Sequence, residues 1–403
     1  MTIQEKFGFQ KLINARGPAT ILGAAKVPDA IRKDIYDILG ESAEIWELQR
    51  RASEQIVKLT GAEAGCVVNC TSAGMAVSAA AVLTGNDPAK IKALPDITWP
   101  KKKIIIQKGQ VTGAGDCPVW QVIKMTGAEY VEIGEALDCA TFHLRAALDD
   151  TVAAAFYVME DTFAPNLLPL GTFVSICHEK KVPVICDAAY LTDFRMLAEV
   201  GVDLAIYSGQ KWLGGCTSGI VAGRKNLVQA IYMQEMGIGR PMKAGKESII
   251  SIMSSIDYWL NRDTEAIKKF QTGLADTIIK ALDGFEGVRC EIKESLYSPS
   301  IRLNVSIDEN VAKLSAWEIN DDIGRLNPVI KTDDYYVNKG VIIFDFAYLD
   351  KGDAEIVARI LKEYLTGKRK PLKNREQGSG LPRTRQDILY DIYNQWLEGD
   401  PRN

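Results

Sequence analysis

The sequence predicts an α/β protein: a large domain with a mostly parallel sheet, followed by a smaller α+β C-terminal domain. Three observations carry this. Through the first two thirds of the 403 residues, short β-branched runs alternate with helical-period segments, the pattern of parallel strands joined by crossover helices. Several of these runs are apolar throughout, as strands covered on both faces are. After Gly284 and Gly287 the pattern changes to a few strands and a closing helix.

The expected strands of the large domain are Gly65 to Asn69, Lys103 to Gln107, Glu129 to Ile133, Ala153 to Val158, Pro183 to Asp187, Leu204 to Tyr207 and Gly219 to Ala222. Thr172 to Lys180 and Asp193 to Gly201 read as helices between them, the second ended by a glycine suited to a left-handed cap. A long helical region is expected from Glu247 to Leu282. In the smaller domain Ser300 to Ile307, Pro328 to Thr332 and Val341 to Phe346 read as strands, and Ala354 to Leu365 as a helix. The expected boundaries are a large domain over 1–262, including the N-terminal segment, a small domain over 263–370, and a tail over 371–403. The tail is basic, then polar, and its amphipathic piece from Arg385 to Leu397 suits docking.

Forty-eight Lys plus Arg face 52 Asp plus Glu, a net charge of −4. No block of like charge tracks a phosphate backbone, so nucleic acid is not the expected partner. The eight cysteines are scattered, several within apolar runs, and form no disulfide framework. The N-terminus lacks a signal-peptide profile, which places the expectation in a reducing cytoplasm. No membrane span is expected either: the weakly polar stretch Val67 to Gly85 is broken by Asn69, Thr71, Ser72 and Ser78 and reads as strand, loop and helix. Only two histidines occur, His143 and His178, both in amphipathic helical segments. A histidine metal site or a Ser-His-Asp triad has little to draw on.

Gly239 to Lys246 fails as a phosphate-binding P-loop, because the spacing is wrong and Glu247 replaces the required Ser or Thr. Nothing matches G-x-S-x-G, and the Cys66/Cys70 pair has no second pair at zinc-site spacing. What survives is Asp187 at the C-terminal end of an apolar strand, where open α/β sheets bind ligands, and Lys211 just after the next strand. A pyridoxal 5'-phosphate enzyme needs this pair: the lysine holds the aldehyde as a Schiff base, and the carboxylate keeps the pyridine nitrogen protonated. Cys70-Thr71-Ser72-Ala73-Gly74 offers small residues and hydroxyls at a strand-to-helix turn, where free N–H groups bind phosphate. Ser208 adds a hydroxyl. Each piece has an ordinary alternative: Asp187 as a helix cap, Lys211 as a surface lysine, the turn as close helix packing.

The segments Leu12 to Gly17, Thr20 to Gly23, Ser72-Ala73-Gly74, Lys108-Gly109, Asp187-Ala188-Ala189, Ile206 to Lys211, Thr217-Ser218-Gly219 and Gly237 to Glu247 run in order through the first 260 or so residues. In them the chain resembles the aminotransferase-like, fold-type I pyridoxal phosphate enzymes of the selenocysteine synthase-like group, and within that group the glucosaminate-6-phosphate ammonia-lyases. The resemblance implies Lys211 as Schiff-base lysine, Asp187 as pyridinium partner, and Ser72, Ala73, Gly74 and Ser208 as phosphate cradle. It also implies a homodimer or higher oligomer with the site near the interface. Gly237 to Lys243 is the candidate for a neighbouring subunit's contribution, with Arg240 and Lys243 as anion contacts; an ordinary basic loop is the alternative.

The departures bear on substrate. Gln110 stands among the cofactor contacts where related ammonia-lyases tend to carry histidine. Arg16 occupies a position usually small in the group, facing a substrate carboxylate or a structural one. Arg302 is a candidate grip for a substrate carboxylate by fold analogy, with an exposed strand arginine as the alternative. Glu160 to Pro165 follows a strand end at the same crevice and has no assigned role. The expected activity is α,β-elimination from a hydroxylated amino acid or amino-sugar acid, giving a 2-keto acid and ammonia, with Lys211 as the base. A racemase or aminotransferase shares the first deprotonation. A selenocysteine synthase acting on charged tRNA is less favoured, since the family motif begins at Ile13 and leaves no room for an N-terminal RNA-binding domain. A binding or regulatory protein on the same fold would have no need to keep both Asp187 and Lys211.

Overall fold

The computed structural model describes residues 1–111, 117–159, 166–295 and 298–370, with isolated positions between 390 and 397. Glu160 to Pro165 and nearly all of the tail lie outside the described residues. The chain divides into two units, one of Ala25–Arg262 and one of Met1–Ala24 with Asp263–Asn403. The sequence led us to expect the N-terminal segment in the large unit; Met1–Ala24 instead groups with the C-terminal unit. The reason is a strand pairing: β1 (Leu12–Ala15) lies parallel to a strand of the C-terminal unit, Ile13 opposite Ile330.

The larger unit carries β2 (Ala64–Val68), β3 (Lys103–Gln107), β4 (Glu129–Ile133), β5 (Val152–Val158), β6 (Val184–Asp187), β7 (Leu204–Ser208) and β8 (Gly219–Gly223). They form one seven-stranded sheet in the order β2-β8-β7-β6-β5-β3-β4. The five strands from β4 to β7 are mutually parallel, and β8 runs antiparallel to both β7 and β2. The central strands are the apolar runs: Ile104, Ile105 and Ile106 are wholly enclosed, and every residue of β5 is buried. The sheet continues past regular pairing through glutamines. Gln49, in the helix Ile45–Thr60, donates to the Val67 carbonyl at 2.7 Å and accepts from the Val67 N–H at 2.9 Å, closing the outer edge of β2. One residue on, Val68 bridges Lys243, and the Asn69 N–H donates to the Met242 carbonyl at 3.0 Å.

The long helical region expected from Glu247 to Leu282 is two helices, Lys246–Asn261 and Thr264–Leu282. They part at Arg262, whose guanidinium stacks 3.2 Å over the Trp259 ring, while Asp263 caps the second helix by accepting from the Ala266 N–H. The smaller unit holds β9 (Val288–Ser295), β10 (Ser298–Ile307), β11 (Val329–Thr332) and β12 (Val341–Asp345). Here β12, β10 and β9 form an antiparallel sheet, with Leu303, Ile342 and Phe344 in a core shared with Ile278 and Val357. The strand β9 was not expected, although Val288, Cys290 and Ile292 alternate with polar residues; the alternation lies on a strand none of whose residues from Val288 to Lys293 is fully buried. No described helix is long and apolar enough to cross a membrane.

Candidate active site

The parallel strands β6 and β7 end side by side, with Asp187 opposite Ile206. Asp187 closes β6, and Lys211 lies in the turn that follows β7. Their spacing is thus set by backbone pairing rather than by flexible loops. Burial pushes the Asp187 carboxyl above the ordinary carboxylate range, although the charge of Lys211 and the Ala189 N–H, donating at 3.1 Å, pull it down. A protonated ring nitrogen would give this buried carboxylate a cationic neighbour besides Lys211.

The Lys211 ammonium sits 3.3 Å from the centroid of the Tyr190 ring. Trp212, the next residue, donates from Nε1 to the Tyr190 carbonyl at 3.1 Å. Neither aromatic residue was singled out from the sequence; the signal available was their adjacency to Asp187 and Lys211. Beneath the lysine turn the backbone is packed tightly. A Cβ on Gly209 would lie 2.2 Å from Ile252 Cδ1, and one on Gly215 would lie 2.8 Å from Ser251 Oγ. The Ser251 hydroxyl accepts from the Cys216 N–H at 2.8 Å, and Ser248 donates to the Thr217 carbonyl at 3.1 Å. A serine-bearing face of the helix Lys246–Asn261 is therefore the floor of the lysine turn.

At the phosphate end, the helix Thr71–Thr84 begins at the tip of β2 with Cys70 as its cap, the thiol accepting from the Ala73 N–H at 3.4 Å. Ser72 is half-buried and Ala73 buried there. Gly74 serves packing: a Cβ would stand 2.8 Å from Ile206 Cγ2 and 3.2 Å from Val221 Cγ2. The ordinary alternative raised for this turn is thus real for Gly74, and it brings the helix N-terminus down onto β7 and β8. Ser208, at the end of β7, is 4% exposed and its Oγ has no hydrogen-bond partner among the described residues. A buried orphan hydroxyl beside a helix N-terminus, with Lys211 three residues on and Asp187 one strand away, fits the cofactor.

Other expected residues have different employment. Gln110 is buried, its Nε2 donating to the Val158 carbonyl at 3.1 Å and its Oε1 accepting from the Val158 N–H at 3.3 Å. Both ends of the amide are thus committed to the backbone, and Val158 pairs with Asp187 across β5 and β6. Gln110 braces the strand next to the carboxylate, where the resemblance suggested a cofactor contact. Arg240 is exposed and meets Glu235 at 3.3 Å. Lys243 is exposed, and its backbone bridges β2 of its own chain. Arg16 and Arg302 belong to the smaller unit, where each already meets carboxylates. Arg16 lies 3.5 Å from Asp334, and Arg302 pairs with Asp333 and lies 3.8 Å from the buried Asp345. Arg302 is therefore tied into a carboxylate network of its own unit rather than standing as an exposed strand arginine.

Residues 19–275 match the family described as SelA: L-seryl-tRNA selenium transferase. The chain belongs to this family. It is accordingly a pyridoxal 5'-phosphate-dependent enzyme with an aminotransferase-like, fold-type I large domain. It is 30% identical to a 5'-C-glycyluridine monooxygenase-decarboxylase of Streptomyces over 364 residues, 90% of this chain and 91% of that one. To the D-glucosaminate-6-phosphate ammonia lyase of Salmonella typhimurium it is 27% identical over 364 residues, 90% of this chain and 97% of the relative. A solved structure of D-glucosaminate-6-phosphate ammonia-lyase superposes with a TM-score of 0.82 at 26% identity, covering 91% of this chain and 99% of the other.

Proposed function

We propose that this family member is an α,β-eliminating lyase that converts a hydroxylated amino acid or amino-sugar acid to a 2-keto acid and ammonia. It would act as a cytoplasmic homodimer on a small molecule. The observation that carries the reading is the pairing of Asp187 and Lys211 on adjacent strand ends, within a fold that matches an ammonia-lyase over nearly its whole length. Bound pyridoxal 5'-phosphate supplies a carbonyl for the substrate amine and an electron sink for charge at Cα.

The remaining work falls to the chain. Lys211 holds the cofactor until substrate arrives, and its freed amine then takes the Cα proton at Nζ. The ammonium so formed is the nearest acid for the departing hydroxyl, which leaves as water. Asp187 would face the ring nitrogen and keep it protonated, the charge that makes the Cα proton acidic. Ser208 Oγ, the Ser72 and Ala73 positions and the helix start at Thr71 would grip the phosphate, fixing the ring against the sheet edge. Gln110 acts one strand away, by holding Val158 and with it the register of Asp187.

Borohydride reduction fixes the cofactor to its lysine, and peptide mapping should find the label on Lys211. A screen of hydroxylated amino acids and amino-sugar acids should then release ammonia and 2-keto acid in equal amounts. A label elsewhere overturns the site. The relative named as a monooxygenase-decarboxylase supports a second reading, since it matches along 90% of this chain. Oxygen uptake with carbon dioxide release, and no ammonia, would favour that reading over elimination.

A further inference from the structure

The ring of Tyr190 has no part in the reading above, yet it is the group against which the Lys211 amine rests. Nζ lies 3.3 Å from the ring centroid, on the face that carries the negative end of the aromatic quadrupole. The backbone that carries the ring is also held on both sides. Tyr190 follows Asp187 by three residues in a turn where the Ala188 N–H donates to the Ile206 carbonyl at 2.9 Å and the Leu191 N–H to the Ala188 carbonyl at 3.0 Å. Its own carbonyl is held by the indole of Trp212, the neighbour of Lys211, so the two turns are tied together directly beside the amine.

The geometry points to Tyr190 as the positioning residue for Lys211, its ring face holding the side chain whenever the nitrogen carries a proton and releasing it when the nitrogen is neutral. An aromatic face attracts an ammonium through its charge and offers no lone pair to accept the proton. A carboxylate in the same place would bind the ammonium more strongly and hold it charged. The ring therefore discriminates between the two forms of the same group. If Lys211 is the base proposed above, the proton it takes from Cα converts it to the form that Tyr190 holds, so the acid waits in one place until the hydroxyl leaves. No atom is exchanged with the ring, and the proton stays on Nζ until it passes to the leaving oxygen.

The test uses the full chain after hydroxylamine has removed the cofactor, with Tyr190→Phe and with 4-cyanophenylalanine placed at 190 by nonsense suppression. The cyano ring keeps the shape and the access to Lys211 but has a weakened face. Acetic anhydride at neutral pH reacts with neutral amines, and mass spectrometry of the Lys211 peptide gives the rate, with Lys243 as internal reference. Tyr190→Phe should match the parent, whereas the cyano variant should acetylate Lys211 about two- to fivefold faster, the loss of one partly exposed cation–π contact. Return of the visible absorbance on adding pyridoxal 5'-phosphate should speed up by the same factor. A cyano variant no faster than the parent overturns the proposal, as does a Tyr190→Phe variant as fast as the cyano one, which would assign the effect to the hydroxyl. These rates are read without substrate, so they stand or fall separately from the elimination itself.

Discussion

Replacing Ser208 by alanine should move stability and cofactor affinity in opposite directions. The side chain is 4% exposed and its hydroxyl is without a partner among the described residues. Burying an unsatisfied hydroxyl costs roughly 1–3 kcal/mol. Alanine removes that cost and leaves a void no larger than one oxygen, so the cofactor-free variant should be as stable as the parent or up to about 1–2 kcal/mol more stable in urea unfolding. With phosphate in place the same hydroxyl donates to an anion, a bond contributing about 1.5–3 kcal/mol. The dissociation constant for pyridoxal 5'-phosphate should therefore rise roughly ten- to a hundredfold in a fluorescence titration. A variant that is less stable without cofactor and binds it with unchanged affinity would show that Ser208 is a packing residue, and the placement of the phosphate would fall with it.

Asp187→Asn should stabilise the cofactor-free protein near neutral pH. Burial raises the Asp187 carboxyl, so its ionised form is disfavoured more in the folded than in the unfolded chain; the folded state is penalised as pH climbs above 3.8, the ordinary value, through the raised one. The gain should fade on acidification, and urea melts at two pH values will read it, while turnover of the loaded variant should collapse. Gly74→Ala should destabilise by about 1–3 kcal/mol through overpacking against Ile206 and Val221, measured by thermal unfolding. Gln110→Leu strands the N–H and carbonyl of Val158, so it should cost roughly 2–4 kcal/mol and raise hydrogen exchange at the Val158 amide selectively; unchanged exchange there would refute the bracing role.

The parts of the fold legible in the sequence are those whose signal is local. The strands β3 and β4 fall where expected, residue for residue, because Lys103-Ile-Ile-Ile-Gln107 and Glu129-Tyr-Val-Glu-Ile133 are β-branched or aromatic runs between polar turns. Asp187 and Lys211 were legible because strand order alone brings them together. Pairings that join distant segments were not. The four residues of β1 are too short to announce a strand, and their partner in β11 lies more than three hundred residues away. The helix break at Arg262 is carried by a stacking contact and a cap rather than by glycine or proline. Arg302 was left between a substrate grip and an exposed strand position because its carboxylate partners, Asp333 and Asp345, arrive from other segments. Gln110 looked like a substituted ring contact because sequence shows the residue that replaces histidine, not the backbone to which its amide is bound.

The serine-bearing helix face under the lysine turn bears on how this enzyme can change. Gly209 and Gly215 have no room for a Cβ against Ile252, Ser218, Ser251 and Ser255. A side chain at either glycine would push on residues of a helix some forty residues later in the chain, Ile252 from Gly209 and Ser251 and Ser255 from Gly215. At these two positions the turn and the helix constrain one another. A library built on the lysine turn therefore does best to hold Gly209 and Gly215 fixed and to spend its variation on the turn's other positions.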